Sequence, residues 1–187
     1  MAFHAGDRVV AESESTARPA RYGTVREVVH EDPHLPKGKG SAPFDDEGVA
    51  TQARDIVAAG VVQSYFLSSY SARKLGLRST GNAGGAHNLV VPGTEDLPAL
   101  MRRMGHGLLV TEQLGQGVNP VTGDYSRGAA GFWIEDGHIA YPVEEITIAG
   151  NLKRMFMDIV ALGDDLDRRG SRHIGSMLVS SMTVAGS

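Results

Sequence analysis

Short apolar runs bounded by glycine, proline and polar clusters dominate the chain and predict strands joined by tight turns. Gln52 to Val57 and Val61 to Leu67 flank Ala58-Ala59-Gly60 and predict a hairpin. His87 to Val91 predicts a strand entering Pro92, Leu108 to Gln113 another, and Ser176 to Val184 a final one. Phe132 to Glu135 and His138 to Tyr141 flank Asp136-Gly137, the two-residue signature of a type I′ hairpin, which here carries the only tryptophan, Trp133. Helical spacing occurs in three places. Ser68 or Ser69 can cap a short helix with Arg73 and Lys74 in its last turn and Gly76 as its stop. After Asp96, the residues Leu97, Leu100, Met101 and Met104 share one face, with Pro98 tolerated in the first turn and Gly105 ending the run. Leu152, Met155, Phe156, Ile159 and Val160 stand at i, i+3, i+4, i+7 and i+8 and predict an amphipathic helix continuing to Leu162, followed by a charged turn from Asp164 to Arg172.

Between these segments, Gly115, Gly117, Gly123, Gly128 and Gly131 with the turn dipeptides Asn119-Pro120 and Gly123-Asp124 predict a glycine loop feeding the Trp133 hairpin. Ser79 to Ala86 and Pro33 to Pro43 also have loop composition. Helices do not alternate regularly with strands, so the expected class is α+β, a β-rich core of hairpins and mixed sheet with two or three short helices. Residues 1–31 stand apart as a short N-terminal segment of two strands, Gly6 to Glu12 and Gly23 to Val29, ahead of a domain spanning 32–187. Two strands cannot bury a core alone. The segment is either foreign, with a join near Glu31 to His34, or an edge hairpin supplied to the larger part.

Composition narrows the function. A net charge of −4 and a pI near 5.9, with Lys and Arg in ones and twos, give no electrostatic footprint for nucleic acid. No apolar run approaches the ~18 residues needed to cross a bilayer, and no cysteine is present for disulfide or thiolate chemistry. A cytoplasmic protein is expected.

Phe44-Asp45-Asp46-Glu47-Gly48-Val49-Ala50-Thr51, Ser69-Tyr70-Ser71-Ala72-Arg73-Lys74-Leu75-Gly76, Thr80-Gly81-Asn82-Ala83-Gly84-Gly85 and Ala149-Gly150-Asn151-Leu152-Lys153 occur in the order found in the TldD/PmbA family, and so does the stretch from Leu114 to Gly150. From about Asp32 to Ser187 the chain resembles the C-terminal domain of that family, on its PmbA (TldE) side. The first 31 residues are similar to the start of a small SH3-like actinobacterial family of unknown function. The TldD/PmbA resemblance implies a zinc metalloprotease subunit, earlier named a modulator of DNA gyrase, that acts on unfolded or small peptides. It also implies a dimer with a TldD-like subunit or with itself. The TldD side carries a His-Glu-x-x-x-His zinc motif and a cysteine ligand, and this chain has neither. The expectation is a partner domain with no cofactor of its own, zinc being held only by a TldD subunit. The other reading is a stand-alone structural or binding module with no proteolytic role.

His30-Glu31-Asp32-Pro33-His34 satisfies the zinc-protease pattern His-Glu-x-x-His, which works when a helix sets both imidazoles on one face. Pro33 between them removes an amide donor and costs a helix about 3 kcal/mol, so the stretch is expected to be an exposed acidic linker. His173, beside the position resembling the family's cysteine, is expected on a solvated loop, and Asp45-Asp46-Glu47 as a charged turn. Neither glycine cluster carries the Lys and Ser or Thr of a phosphate loop. Loops on a rigid scaffold carry function disproportionately, so the candidate peptide-binding residues are Glu112, Gln116, Gly117, Asn119, Asp124, Tyr125, Ser126 and Arg127. They are expected to line a groove beside a strand edge. The alternative is a purely structural turn in which Arg127 pairs with Asp124.

Overall fold

The computed structural model describes residues 28–186. The two strands expected within 1–31 fall almost wholly outside them; only Val29–Glu31 is described, as β1. It is followed by β2 (Arg54–Ala58), β3 (Val61–Val62), α1 (Ser69–Leu75), β4 (Leu89–Val91), α2 (Leu97–Met104) and β5 (Gly107–Leu114). Then come β6 (Asp124–Glu135), β7 (His138–Asn151), α3 (Leu152–Met157), β8 (Ile159–Leu162), β9 (Arg172–Ile174), β10 (Met177–Val179) and β11 (Thr183–Ala185). A mixed sheet in the order β3-β2-β1-β4-β9 has one parallel pair, β4 with β9. An antiparallel sheet runs β11-β7-β6-β5, and β8 pairs with β10 alone. The architecture is α+β, as the patterning predicts.

Local chemistry explains most elements. Ser68 Oγ accepts from the Ser71 amide and Asp96 Oδ1 from the Ala99 amide, so both helices are capped where expected. Gly76, at φ 67°, closes α1 in the left-handed region. Ala59-Gly60 and Asp136-Gly137 both turn with two positive φ angles, the I′ geometry that matches the twist of paired strands.

Three expectations are corrected. The helix from Leu152 stops at Met157, because Asp158 at φ −92° and ψ 7° ends it and the β-branched Ile159-Val160 joins a ladder with β10. Five apolar residues at helical spacing were thus divided between a helix of one and a half turns and a strand. The final strand is two: β10 ends where the Ser180 amide donates to the Asp158 carbonyl, and β11 then joins β7 in another sheet. The glycine stretch is loop only to Gly123. Gly128 and Gly131 lie inside β6, and Gly131 serves close approach of β5 rather than turning, since an added Cβ would collide with the Leu109 carbonyl.

The core of the antiparallel sheet gathers Val110, Tyr125, Ala129, Ile146, Ile148 and Met155, so α3 packs on that sheet. Val91, Ile159 and Leu162 form a second cluster between the mixed sheet and β8.

Candidate functional site

The loop from Gly115 to Gly123 is tied back onto the start of β6. Asn119 Oδ1 accepts from the Val121 and Thr122 amides, an Asx-type turn that closes the loop tip. Asp124 accepts from Thr122 Oγ1 at 2.7 Å and Asn151 Nδ2 at 3.2 Å, and these two donors hold its carboxyl below the usual range. The Gly117 carbonyl accepts from the Ser126 amide at 2.7 Å, and an ideal Cβ on Gly117 would fall 1.4 Å from the Ser126 carbonyl oxygen. Tyr125 is a core residue, 2% exposed, whose hydroxyl donates to Gln113 Oε1; Arg127 Nη1 donates to the same oxygen at 2.8 Å.

Of the candidates, Asn119, Asp124, Tyr125 and Gly117 are therefore engaged in holding the loop and the sheet. Glu112, Gln116 and Ser126 are exposed, and Arg127 is half-buried across from Gln113. Glu112 lies on β5, which has β6 on one side and no other strand among the described residues.

A second polar cluster was not foreseen. Glu31 was expected in an exposed linker, yet it is 1% exposed at the centre of the mixed sheet, directly across from Arg54 in register. Its carboxylate accepts from Arg54 Nη2 at 2.8 Å, from Asn82 Nδ2 at 2.8 Å and from the His87 amide at 2.9 Å, with His87 Nδ1 at 3.1 Å. Arg54 also donates to Asn82 Oδ1 and to the Thr80 carbonyl. Burial pulls the Arg54 guanidinium below its ordinary value, opposed by Glu31. The signal available in the sequence was an acid two residues after the apolar Val29 within a strand pattern; its cross-strand cation became visible only with the register.

The same stretch does not form a zinc-binding helix. His30 and Glu31 are strand, Asp32 onward is turn, His30 Nδ1 meets Asp55 at 2.7 Å and His34 Nε2 faces Thr51 Oγ1 at 3.2 Å. His173 is a second correction: it is buried in β9 beside Val90 of β4, not on a solvated loop. Among the described residues no three His, Asp or Glu side chains converge as a metal site. The zinc of a metallopeptidase therefore does not fit the donors present in this segment.

Asp45 occupies the charged turn before Gly48, but buried. Burial raises its pKa, and this is outweighed by the amides of Ala83, Val49 and Glu47, which hold the carboxyl below its ordinary range. A depressed folded-state pKa stabilises above the unfolded value and that contribution is lost as pH falls through the folded one. Urea titrations between neutral pH and the carboxylate range should therefore show a steeper loss of stability on acidification for the native chain than for Asp45→Asn. Equal slopes would mean that the three amides do not discriminate the ionised form.

The family model for the PmbA/TldA metallopeptidase C-terminal domain matches residues 28–186. The chain belongs to that family. It is 55% identical over 160 residues to metalloprotease PmbA of Escherichia coli, an alignment covering 85% of this chain and 36% of that protein. Among solved structures it is similar to a putative modulator of a DNA gyrase from Thermotoga maritima, with a TM-score of 0.82, 36% identity, and coverage of 89% of this chain and 41% of the other. It also shares the fold of TldE from Thermococcus kodakarensis, TM-score 0.74 at 24% identity, covering 86% and 40% of the two chains. This PmbA/TldA domain thus spans little more than a third of the length of the curated PmbA proteins it matches. Among the described residues, no helix is long and apolar enough to cross a membrane.

Proposed function

We propose that this PmbA/TldA domain is the non-catalytic, peptide-receiving part of a TldD/TldE-type cytoplasmic metalloprotease, and that an extended peptide lies along β5. The observation that carries it is the free side of that strand: eight residues, Gly107–Leu114, bonded to β6 on one side only among the described residues. An open edge offers amide and carbonyl groups to an added strand, and main-chain pairing accepts unfolded chains of any sequence while excluding folded ones. Family membership and the 55% identity to a metalloprotease named PmbA support the proteolytic setting. Glu112, Gln116 and Ser126, beside the edge and the loop that follows it, are the exposed side chains nearest to the peptide in this reading.

The test couples assembly to chemistry. Co-purified with a TldD-like subunit, the chain should support cleavage of an unstructured peptide that the chain alone leaves intact. A peptide N-methylated at alternate residues, which cannot donate to an edge, should bind at least about tenfold more weakly than its unmodified parent. Equal binding of the two peptides would remove β5 from the reading, and cleavage by the chain alone would remove the non-catalytic assignment.

A further inference from the structure

A cavity of about 240 Å³ lies against the start of β5. Leu108 and Val110 of that strand line it, together with Trp133 of β6, Met104 of α2, Leu178 of β10 and Met182. Leu108 and Val110, two residues apart, point to one side of the sheet, where both pack with the core cluster; Trp133 is the register partner of Leu108 and shares that side. Burial changes sharply along it. Val110 is fully buried, whereas Leu108 keeps part of its surface in solvent, so the cavity opens at the Leu108 end. Gly107 belongs to the lining as well, and it has only backbone to offer. Consecutive strand residues point to opposite faces. A cavity that touches both Gly107 and Leu108 therefore reaches the backbone of β5, and since β6 occupies one side of that strand, it does so from the free side.

Its chemistry excludes charge. The lining holds no Asp, Glu, Lys or Arg, and its one titratable member, His106, is exposed and stands 3.5 Å from Asp136. Two thioethers and an indole are adaptable, polarisable surroundings that favour an aromatic ring. Size selects in the same direction: a cavity of roughly 150 Å³ suffices to hold benzene, so one ring fits here, while a helix about 10 Å across does not.

We propose that this cavity receives one aromatic side chain of an extended peptide paired to β5. This rests on the peptide-receiving reading above, and adds to it a side-chain preference that edge pairing alone would not give. Side chains of an added strand alternate between faces, and those on the core side stand about 4.8 Å, one strand spacing, from Leu108 or Val110. The ring thus meets β5 first. Trp133, a further spacing away, is part of the cavity wall and not an immediate neighbour of the peptide. The preference is confined to the peptide position across from Leu108, because Val110 is already fully covered.

The experiment titrates the purified chain with two unstructured peptides that differ only in phenylalanine or alanine at one central position. A fluorescent label on the peptide reads affinity, and unlabelled peptide is used to read Trp133 emission. The phenylalanine peptide should bind about tenfold tighter, as expected for burying most of one apolar side chain. It alone should shift the emission of Trp133, the only tryptophan. Leu108→Ser, which removes the near wall, should bring the ratio towards one while alanine-peptide binding persists. Leu108→Glu, which sets a carboxylate at the mouth, should favour lysine over phenylalanine at that position, a reversal that mere loosening of the sheet would not produce. Ser181→Phe, at an exposed position of the same lining, fills the cavity without altering β5 and should lower the ratio likewise. Urea midpoints check that each variant folds. Equal affinities in the native chain, or a ratio unchanged in Leu108→Ser and Ser181→Phe, overturns the aromatic site, while binding of the alanine peptide keeps the edge reading. Failure of both peptides to bind overturns the edge reading and the aromatic site with it.

Discussion

Gly117→Ala should lower the stability of the domain by about 3 kcal/mol, whereas Gly128→Ala should change it by less than about 1 kcal/mol. Both glycines belong to one glycine-rich stretch, and composition does not distinguish them. At Gly117 the added Cβ meets the Ser126 carbonyl oxygen at 1.4 Å, and that carbonyl belongs to a strand held by β7 in the Ser126↔Ala149 register. Backbone cannot yield as a side-chain tip can. The loop must lift, losing the 2.7 Å bond from the Ser126 amide to the Gly117 carbonyl and the Val118↔Tyr125 bridge. At Gly128 the nearest atom is the Leu114 Cβ at 3.3 Å, an approach relieved by a shift of a few tenths of an ångström at Leu114, the last residue of β5. Urea unfolding followed by the single tryptophan separates the two. Equal midpoints for both variants would show that the Gly117 loop moves without cost. A valine at Gly117 is for the same reason unsuitable as a probe of peptide binding, since it tests folding first.

Glu31→Ala should cost about 3–5 kcal/mol, because it leaves the Arg54 guanidinium without its carboxylate in the middle of a sheet. The pair is worth less than this number suggests. Most of the loss is the penalty of an uncompensated charge, with the Asn82 and His87 donors also left unpartnered. The double variant Glu31→Leu/Arg54→Met should therefore recover a large part of the stability lost in Glu31→Ala. Denaturation midpoints of the two variants decide the matter: no recovery would mean that the hydrogen bonds to Asn82 and His87 dominate over the ion pair. The same cluster ties β1 to the loop of Thr80 to His87, so amide exchange in that loop should quicken in Glu31→Ala.

Sequence sufficed wherever the structural cause was local. Ser68, Asp96 and Gly76 cap helices through bonds and dihedral angles contained within a few residues, and Asp136-Gly137 and Ala59-Gly60 set their hairpins through their own φ angles. The α+β class and the motifs that place the chain in the TldD/PmbA family were legible for a related reason, being properties of order and spacing along the chain. Exposure of Glu112, Gln116 and Ser126 was also legible, since loop and edge positions announce themselves by composition.

Tertiary structure decided the remainder, and in each case through a partner distant in sequence. Leu152 to Leu162 carries a helical pattern throughout, but β10 offered Ile159 to Leu162 a ladder, and ladder bonds with burial outweighed helical periodicity. Glu31 reads as a linker acid until Arg54, Asn82 and His87, 23 to 56 residues away, surround it. That Asp124 bonds Asn151 and Tyr125 bonds Gln113 is likewise invisible until β5, β6 and the end of β7 come together. The register shifts between Val110 and Glu112 and between Ala129 and Gly131 have no signature in any one strand, because register is a relation between strands and a shift of one residue changes which side chains meet. Capping, turning and family membership are written along the chain; charge pairing, strand edges and the shape of a sheet's faces arise only when strands fix their register against one another.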